Sequence, residues 1–201
     1  MLEACIAASG AIVQQSWQLR DNRQAIKEAL AAAISESDMV ITAGGISTGQ
    51  YDFMQEELEA LGVEQKFWNV AQKPGKPLYF GIAASEKPVF SLPGNPVSSL
   101  VCFLEYCITA ISMMQGATPS RKFAAFLDEP FPADRKRHRF LFGRVCAENG
   151  TLHCRLSDQT ESHMLTALTG ANCMIEAPAS PEPLPAGTLV SCALLPWTAS
   201  L

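Results

Sequence analysis

Three short runs in the chain place residue types suited to holding an anion. Gly44-Gly45-Ile46-Ser47-Thr48-Gly49 is a glycine-rich turn between the apolar run Met39 to Thr42 and a helix-like stretch from Phe53 to Leu61. Glycines let backbone N–H groups approach a ligand closely, and a helix start presents further unpaired N–H groups, so the combination favours phosphate. The run lacks the Gly-Lys-Ser/Thr of a Walker loop and does not spell the dinucleotide fingerprint. Asp52, just beyond it, reads either as a helix cap or as a carboxylate that holds a divalent cation against the anion, and Asp21 carries the same two readings. Lys73-Pro74-Gly75-Lys76-Pro77 puts two ammonium groups on a loop stiffened by two prolines, either as point-charge partners for phosphate or as a solvated turn. Pro93-Gly94-Asn95-Pro96-Val97-Ser98 is either a well-built helix start or a place where Ser98 and first-turn N–H groups hold an anion.

Such loops act only where regular elements hold them. Residues 2 to 9 have the composition of a helix end closed by Gly10, and Ala11 to Gln15 that of a short strand. Asp21 to Ser35 carries helix chemistry, with Asp21 as cap, Gln24 three residues on, and Ile26, Leu30, Ala33 and Ile34 at helical spacing. Met39 to Thr42 predicts a buried strand, and the stretch after Asp52 a helix ended by Gly62. Phe67 to Ala71, Leu78 to Ile82 and Val89 to Leu92 read as strands. Asn95 as cap and Pro96 at the first helical position then start a helix reaching Gln115, which Gly116-Ala117-Thr118-Pro119 breaks. Beyond residue 119 the helical spacing disappears. Alternating segments at Lys122 to Leu127, Arg139 to Val145, Leu152 to Leu156, Cys173 to Ala177 and Thr188 to Leu195 predict a small sheet or barrel. The expected organisation is an α/β domain over residues 1–118 and a β domain over 119–201.

The composition narrows the function classes. With 48 % hydrophobic and 17 % charged residues, 201 residues suit one compact α/β unit, or one such unit with a small appendage. A net charge of −5 speaks against a general binder of nucleic acid or membrane surfaces, which needs a basic footprint. The run Arg135-Lys136-Arg137-His138-Arg139 is basic but reads as a solvated loop between strands. The nearest approach to a membrane span, Val97 to Met114, carries Glu105 and is expected to be a buried helix. Seven cysteines without a CxxC pair, set in apolar surroundings, read as reduced core residues. With no secretory signal at the start, the expected location is cytoplasmic. His138, His153 and His163 lack metal-ligand spacing, and no Ser, His and Asp set announces nucleophilic catalysis.

Taken in order, Gly44-Gly45-Ile46-Ser47-Thr48-Gly49-Gln50-Tyr51-Asp52, Lys73-Pro74-Gly75-Lys76-Pro77 and Leu92-Pro93-Gly94-Asn95-Pro96-Val97-Ser98 resemble the molybdopterin molybdenumtransferase family, to which MoeA and the gephyrin E domain belong. Gln159-Thr160-Glu161-Ser162-His163 and Ala171-Asn172-Cys173 resemble a further family segment. The likeness covers essentially the whole chain and corresponds to about the C-terminal half of a full-length member. It implies a MogA-like three-layer molybdopterin-binding α/β domain followed by a small C-terminal β-barrel. The strand that opens this α/β domain in the family is missing from the sequence. The chain is therefore expected to be a fragment or a truncated product, with an unpaired position in its sheet.

The resemblance also implies a reaction, insertion of molybdate into the dithiolene of adenylylated molybdopterin with release of AMP, and it implies Mg²⁺, a homodimer and an adenylyltransferase partner. Carried across, Asp52 and Asp21 would be the catalytic, metal-holding carboxylates and Lys73 a basic contact to the anionic substrate. Gly44, Gly45, Ser47, Gly49, Lys76, Pro93, Gly94, Asn95, Ser98 and Ser162 would cradle pterin and phosphate. Asn69, Phe142 and Glu161 stand where the family usually has Lys, Arg and Gly. The alternative reading is a module that binds pterin, nucleotide or a partner without chemistry.

Overall fold

The computed structural model describes residues 1–45, 54–84, 86–119, 122–157 and 168–198. The chain divides into two compact units, Met1–Val70 with Gly75–Ile111, and Ala71–Pro74 with Ser112–Leu201.

In the first unit, α1 (Leu2–Ala8) ends ahead of Gly10, whose φ of 77° only glycine adopts without strain. Residues 11 to 20 form no regular element and Ile12 is 89 % exposed, so the strand expected at Ala11 to Gln15 is not there. A β-branched run suits a strand, but a strand forms only where a neighbour takes its backbone hydrogen bonds, and no described strand pairs with this one. α2 (Arg23–Glu36) is capped by Asn22, whose side-chain oxygen accepts from the Ala25 N–H at 3.0 Å. The cap expected of Asp21 is thus one residue out of place, because the capping oxygen must reach a backbone N–H three residues on. Replacing Asn22 with alanine should lower the unfolding free energy by about 1 kcal/mol, whereas Asp21→Ala should change it by less than ~0.5 kcal/mol. Urea denaturation of the two variants checks this.

β1 (Val40–Ala43), α3 (Met54–Ala60), β2 (Glu64–Trp68), β4 (Tyr79–Ile82) and β5 (Pro88–Leu92) follow, with β3 (Gln72–Lys73) belonging to the second unit. The sheet order is β1-β5-β4-β2. β1 and β5 are parallel, and β4 runs antiparallel to both β5 and β2, so β1, β5 and β2 point the same way. Among the described residues β1 is paired on one side only. One sheet face is covered by α2 and α3, whose Leu30, Ala33 and Leu58 pack with Val40, Val63, Tyr79 and Val89. Arg23 ties the two helices together through Glu56 at 2.9 Å and through the buried Glu57.

The other face carries three registered aromatics, Phe67, Phe80 and Phe90, with ring centroids 5.4 and 4.7 Å apart, and Tyr106 lies 6.4 Å from Phe67. Tyr106 belongs to one continuous helix made of α4 (Pro96–Cys102), a π-helical turn (Phe103–Cys107) and α5 (Ile108–Met114). By length and composition Pro96–Met114 could cross a membrane. Val97 to Phe103, Cys107 and Ile111 are nevertheless buried, as in a core helix.

The second unit is a closed five-stranded barrel. β6 (Phe123–Leu127), β7 (His138–Glu148), β8 (Thr151–Leu156), β9 (Cys173–Ala177) and β10 (Leu189–Leu194) follow the order β7-β8-β6-β10-β9, and β9 pairs back onto β7. Its interior holds Leu127, Phe131, Leu141, Val145, Ile175 and Val190 together with Cys154, Cys173 and Cys192. All seven cysteines are free. Burial pushes the Cys107 thiol well up, as expected of an inert core thiol, but Cys146 departs from that expectation by lying exposed on β7.

Candidate functional site

The common direction of β1, β5 and β2 brings their carboxyl ends to one edge of the sheet, where open α/β sheets bind ligands. Directly beyond β1 stand Gly44 (φ 90°) and Gly45 (φ 69°), and directly beyond β5 stand Pro93 and Gly94. The Gly44 N–H donates to the Leu92 carbonyl at 3.0 Å. A Cβ built on Gly94 would sit 3.5 Å from the Gly44 Cα, so the two loops approach closely because neither carries a side chain there. At the same edge, the Asn69 N–H donates to the Leu78 carbonyl at 2.9 Å and the Val70 N–H to the Lys76 carbonyl at 3.0 Å. The Gly75 carbonyl accepts from the Cys102 thiol at 3.5 Å, holding that loop to α4.

The helix start after β5 is built as its residues predict. The Asn95 side chain accepts from the Ser98 N–H at 3.0 Å and from the Ser98 hydroxyl at 3.1 Å, while the Ser99 hydroxyl donates to the Pro93 carbonyl. The Ser99 N–H reaches the Asn95 carbonyl at 2.9 Å, and Pro96 has no N–H. Of the first-turn donors only the Val97 N–H is thus left for a ligand, fewer than the free turn expected from sequence.

The two lysines of the proline-rich run part company. Lys76 is exposed in the first unit, whereas Lys73 is on β3, paired in parallel with β7 of the barrel unit, and so is not on a loop as expected. Asp21 is exposed just ahead of α2. Asp52, Ser47, Gly49 and Ser162 lie outside the described residues. Among the described residues no three His, Cys, Asp or Glu side chains converge to hold a metal ion, so they do not by themselves fit a Mg²⁺ site. Asn69 has a φ of 65°, a conformation asparagine tolerates better than lysine. Phe142 is buried in β7.

Sequence reasoning passed over Thr42 and Ser91. They are registered partners on β1 and β5, two residues short of the glycine loops, and their buried hydroxyls have no hydrogen-bond partner. Nothing in a single Thr or Ser signals this. Only the strand pairing brings the two together.

The basic run is partly a structural device. Asp134 accepts from the N–H groups of Lys136 and Arg137 and from the Arg137 guanidinium at 2.9 Å, interactions that hold its carboxyl below the usual range. A lowered carboxyl pKa stabilises the folded state above the ordinary aspartate range, near pH 4, and that stabilisation is lost as pH falls through the lowered value. The thermal stability gap between wild type and Asp134→Asn should therefore be open at pH 7 and close as acid is added, which melts across that range would show.

Residues 1–112 match the family described as "Probable molybdopterin binding domain", and residues 124–195 match the "MoeA C-terminal region (domain IV)". The chain belongs to the MoeA and gephyrin family. A molybdopterin molybdenumtransferase of Haemophilus influenzae is 36 % identical over 78 % of this chain and 39 % of its own length. The Drosophila melanogaster molybdenum cofactor synthesis protein cinnamon is 31 % identical over 89 % of this chain and 30 % of its own. A crystal structure of the molybdopterin biosynthesis MoeA protein of Pyrococcus horikoshii covers 96 % of this chain with a TM-score of 0.71 and 27 % identity, using 44 % of that chain. This member of the MoeA and gephyrin family thus spans less than half the length of these relatives.

Proposed function

We propose that the chain binds molybdopterin at the carboxyl edge of its α/β sheet and supplies that part of the machinery that inserts molybdate into adenylylated molybdopterin, releasing AMP. The observation that carries the reading is the close approach of Gly44 and Gly94 just beyond neighbouring parallel strands, which keeps side chains out of the space beside the Val97 N–H where a flat anionic ligand can lie. Gly44, Gly45, Pro93, Gly94, Asn95 and Ser98 form the described part of this cradle, and Ser47 and Gly49 are assigned to it on the resemblance alone. Lys76 is the basic contact within the first unit, which is the molybdopterin-binding domain, and Lys73, on β3 of the second unit, is a separate basic contact for the anionic substrate. Mg²⁺ at Asp52 and Asp21, a homodimer, an adenylyltransferase partner and a cytoplasmic location complete the reading as proposals. The free cysteines support the last of these.

A second reading, binding without insertion, is favoured by Phe142, a buried apolar side chain where the resemblance places an arginine. Incubating the chain with adenylylated molybdopterin and molybdate, and assaying molybdenum-loaded cofactor and AMP, separates the two. Turnover supports insertion. Retention of adenylylated molybdopterin without AMP supports binding alone.

A further inference from the structure

Val145 on β7 and Cys154 on β8 are registered partners that point into the barrel core, so the alternation of side chains turns their neighbours outward. Arg144 and Arg155 then face each other directly across the two strands, both exposed, and neither guanidinium has a hydrogen bond or an ion pair with any described group. Like charges placed directly opposite destabilise a strand pair. The next outward pair, Cys146 and His153, continues as one registered row through Phe126 on β6 to Leu189 on β10. Phe126 and Leu189 are 37 % and 57 % exposed, and the Phe126 and His153 rings lie 5.9 Å apart. The nearby acids are engaged elsewhere: Asp128 meets the His153 Nδ1 at 3.1 Å, and Glu148 accepts from the Cys146 thiol at 3.5 Å.

We propose that this face of the barrel docks an acidic segment of a partner protein, with its carboxylates on Arg144 and Arg155 and an apolar side chain on Phe126 and Leu189. The apolar row lies two residues along the strands from the arginine pair, about 7 Å away. An extended segment presents alternate side chains to one side at the same spacing, so the pattern that fits is an Asp or Glu two residues from a Leu or Phe. Charge complementarity selects this occupant. A second copy laid face to face about a two-fold axis would bring four unpaired arginines together. A nucleic acid or an anionic membrane needs a broad basic footprint, whereas here the carboxylates of Asp128 and Glu148 stand beside the same row, in a chain of net charge −5. Docking here does not depend on pterin binding by the first unit.

Fluorescence anisotropy of a labelled peptide carrying Glu-Glu-Ser-Leu, titrated with the full chain, tests the docking face. Wild type should bind it saturably, more weakly as salt is added, and about tenfold more tightly than the same peptide with lysines in place of the glutamates. Arg144→Gln or Arg155→Gln alone should weaken binding about threefold, and the two together about tenfold. Phe126→Ser should also weaken it about threefold, while Lys27→Gln, an exposed change on α2, should leave it unaltered. Because it relieves opposed like charges, Arg144→Gln should melt no lower than wild type, which separates lost docking from lost folding. Equal binding of the acidic and basic peptides, a double variant that binds as wild type does, or no binding by a wild-type chain that melts cooperatively would overturn the proposal. So would self-association of wild type that the double variant loses, which would assign the face to a second copy, or tighter binding of a single-stranded oligonucleotide than of the acidic peptide.

Discussion

Replacing Gly143 with alanine should destabilise the barrel by on the order of 3 kcal/mol or prevent its closure altogether. Gly143 sits in β7 where that strand pairs with β8 and β9, and a Cβ there would lie 2.3 Å from the Arg155 carbonyl oxygen and 2.7 Å from the Ile175 Cδ1. The first of these is backbone, which cannot swing aside as a side-chain tip can. Relief would require parting β8 from β7 next to the point where the Asn172 side chain bonds both the N–H and the carbonyl of Val145. Gly150, in the hairpin turn between the same strands, makes the contrast. Its φ of 81° strains any other residue, yet a Cβ there meets nothing within 4 Å, so Gly150→Ala should cost only about 1 kcal/mol. Urea unfolding followed by near-ultraviolet circular dichroism compares the two, and equal stability of the two variants would count against the closed barrel.

Gly44→Val is the corresponding experiment at the site. The φ of 90° costs a β-branched residue about 1–2 kcal/mol, and the new methyl groups would fill the gap toward the Gly94 Cα, which a Cβ alone approaches to 4.0 Å. The expected result is a chain that still melts cooperatively, a few degrees lower, but binds molybdopterin about tenfold more weakly or not at all. Gly62→Val, also at positive φ but in open space beyond α3, should lose comparable stability and keep its binding. That comparison separates backbone strain from blockage of the cradle.

How much of this was legible in advance follows from where each signal resides. Asn95 and Pro96 announce a helix start by local chemistry alone, and the structure builds it there. The five strands beyond residue 119 were readable from alternation and turn residues, because each barrel strand has one face in the core. The turn Asn149-Gly150, with φ of 49° and 81°, carries the hairpin signal between β7 and β8 in two residues. Other features depend on partners distant in sequence. Ala11 to Gln15 has strand composition but no described neighbour. The placement of Lys73 on β3 follows from pairing with a strand more than sixty residues away, and a loop reading of two lysines among prolines could not foresee it. The π-helical turn at Phe103–Cys107 left no mark in the spacing of apolar residues. Of the expected carboxylates, the structure describes only Asp21, exposed and replaced in its capping role by Asn22.

Calorimetric titration of the full chain with molybdopterin tests the central claim most directly, that the edge formed by the loops after β1 and β5 is a pterin-binding site. The account predicts saturable binding by wild type that Gly44→Val abolishes or weakens about tenfold and Gly62→Val leaves intact. No binding by a wild-type chain that melts cooperatively, or binding that Gly44→Val leaves unchanged, would contradict it.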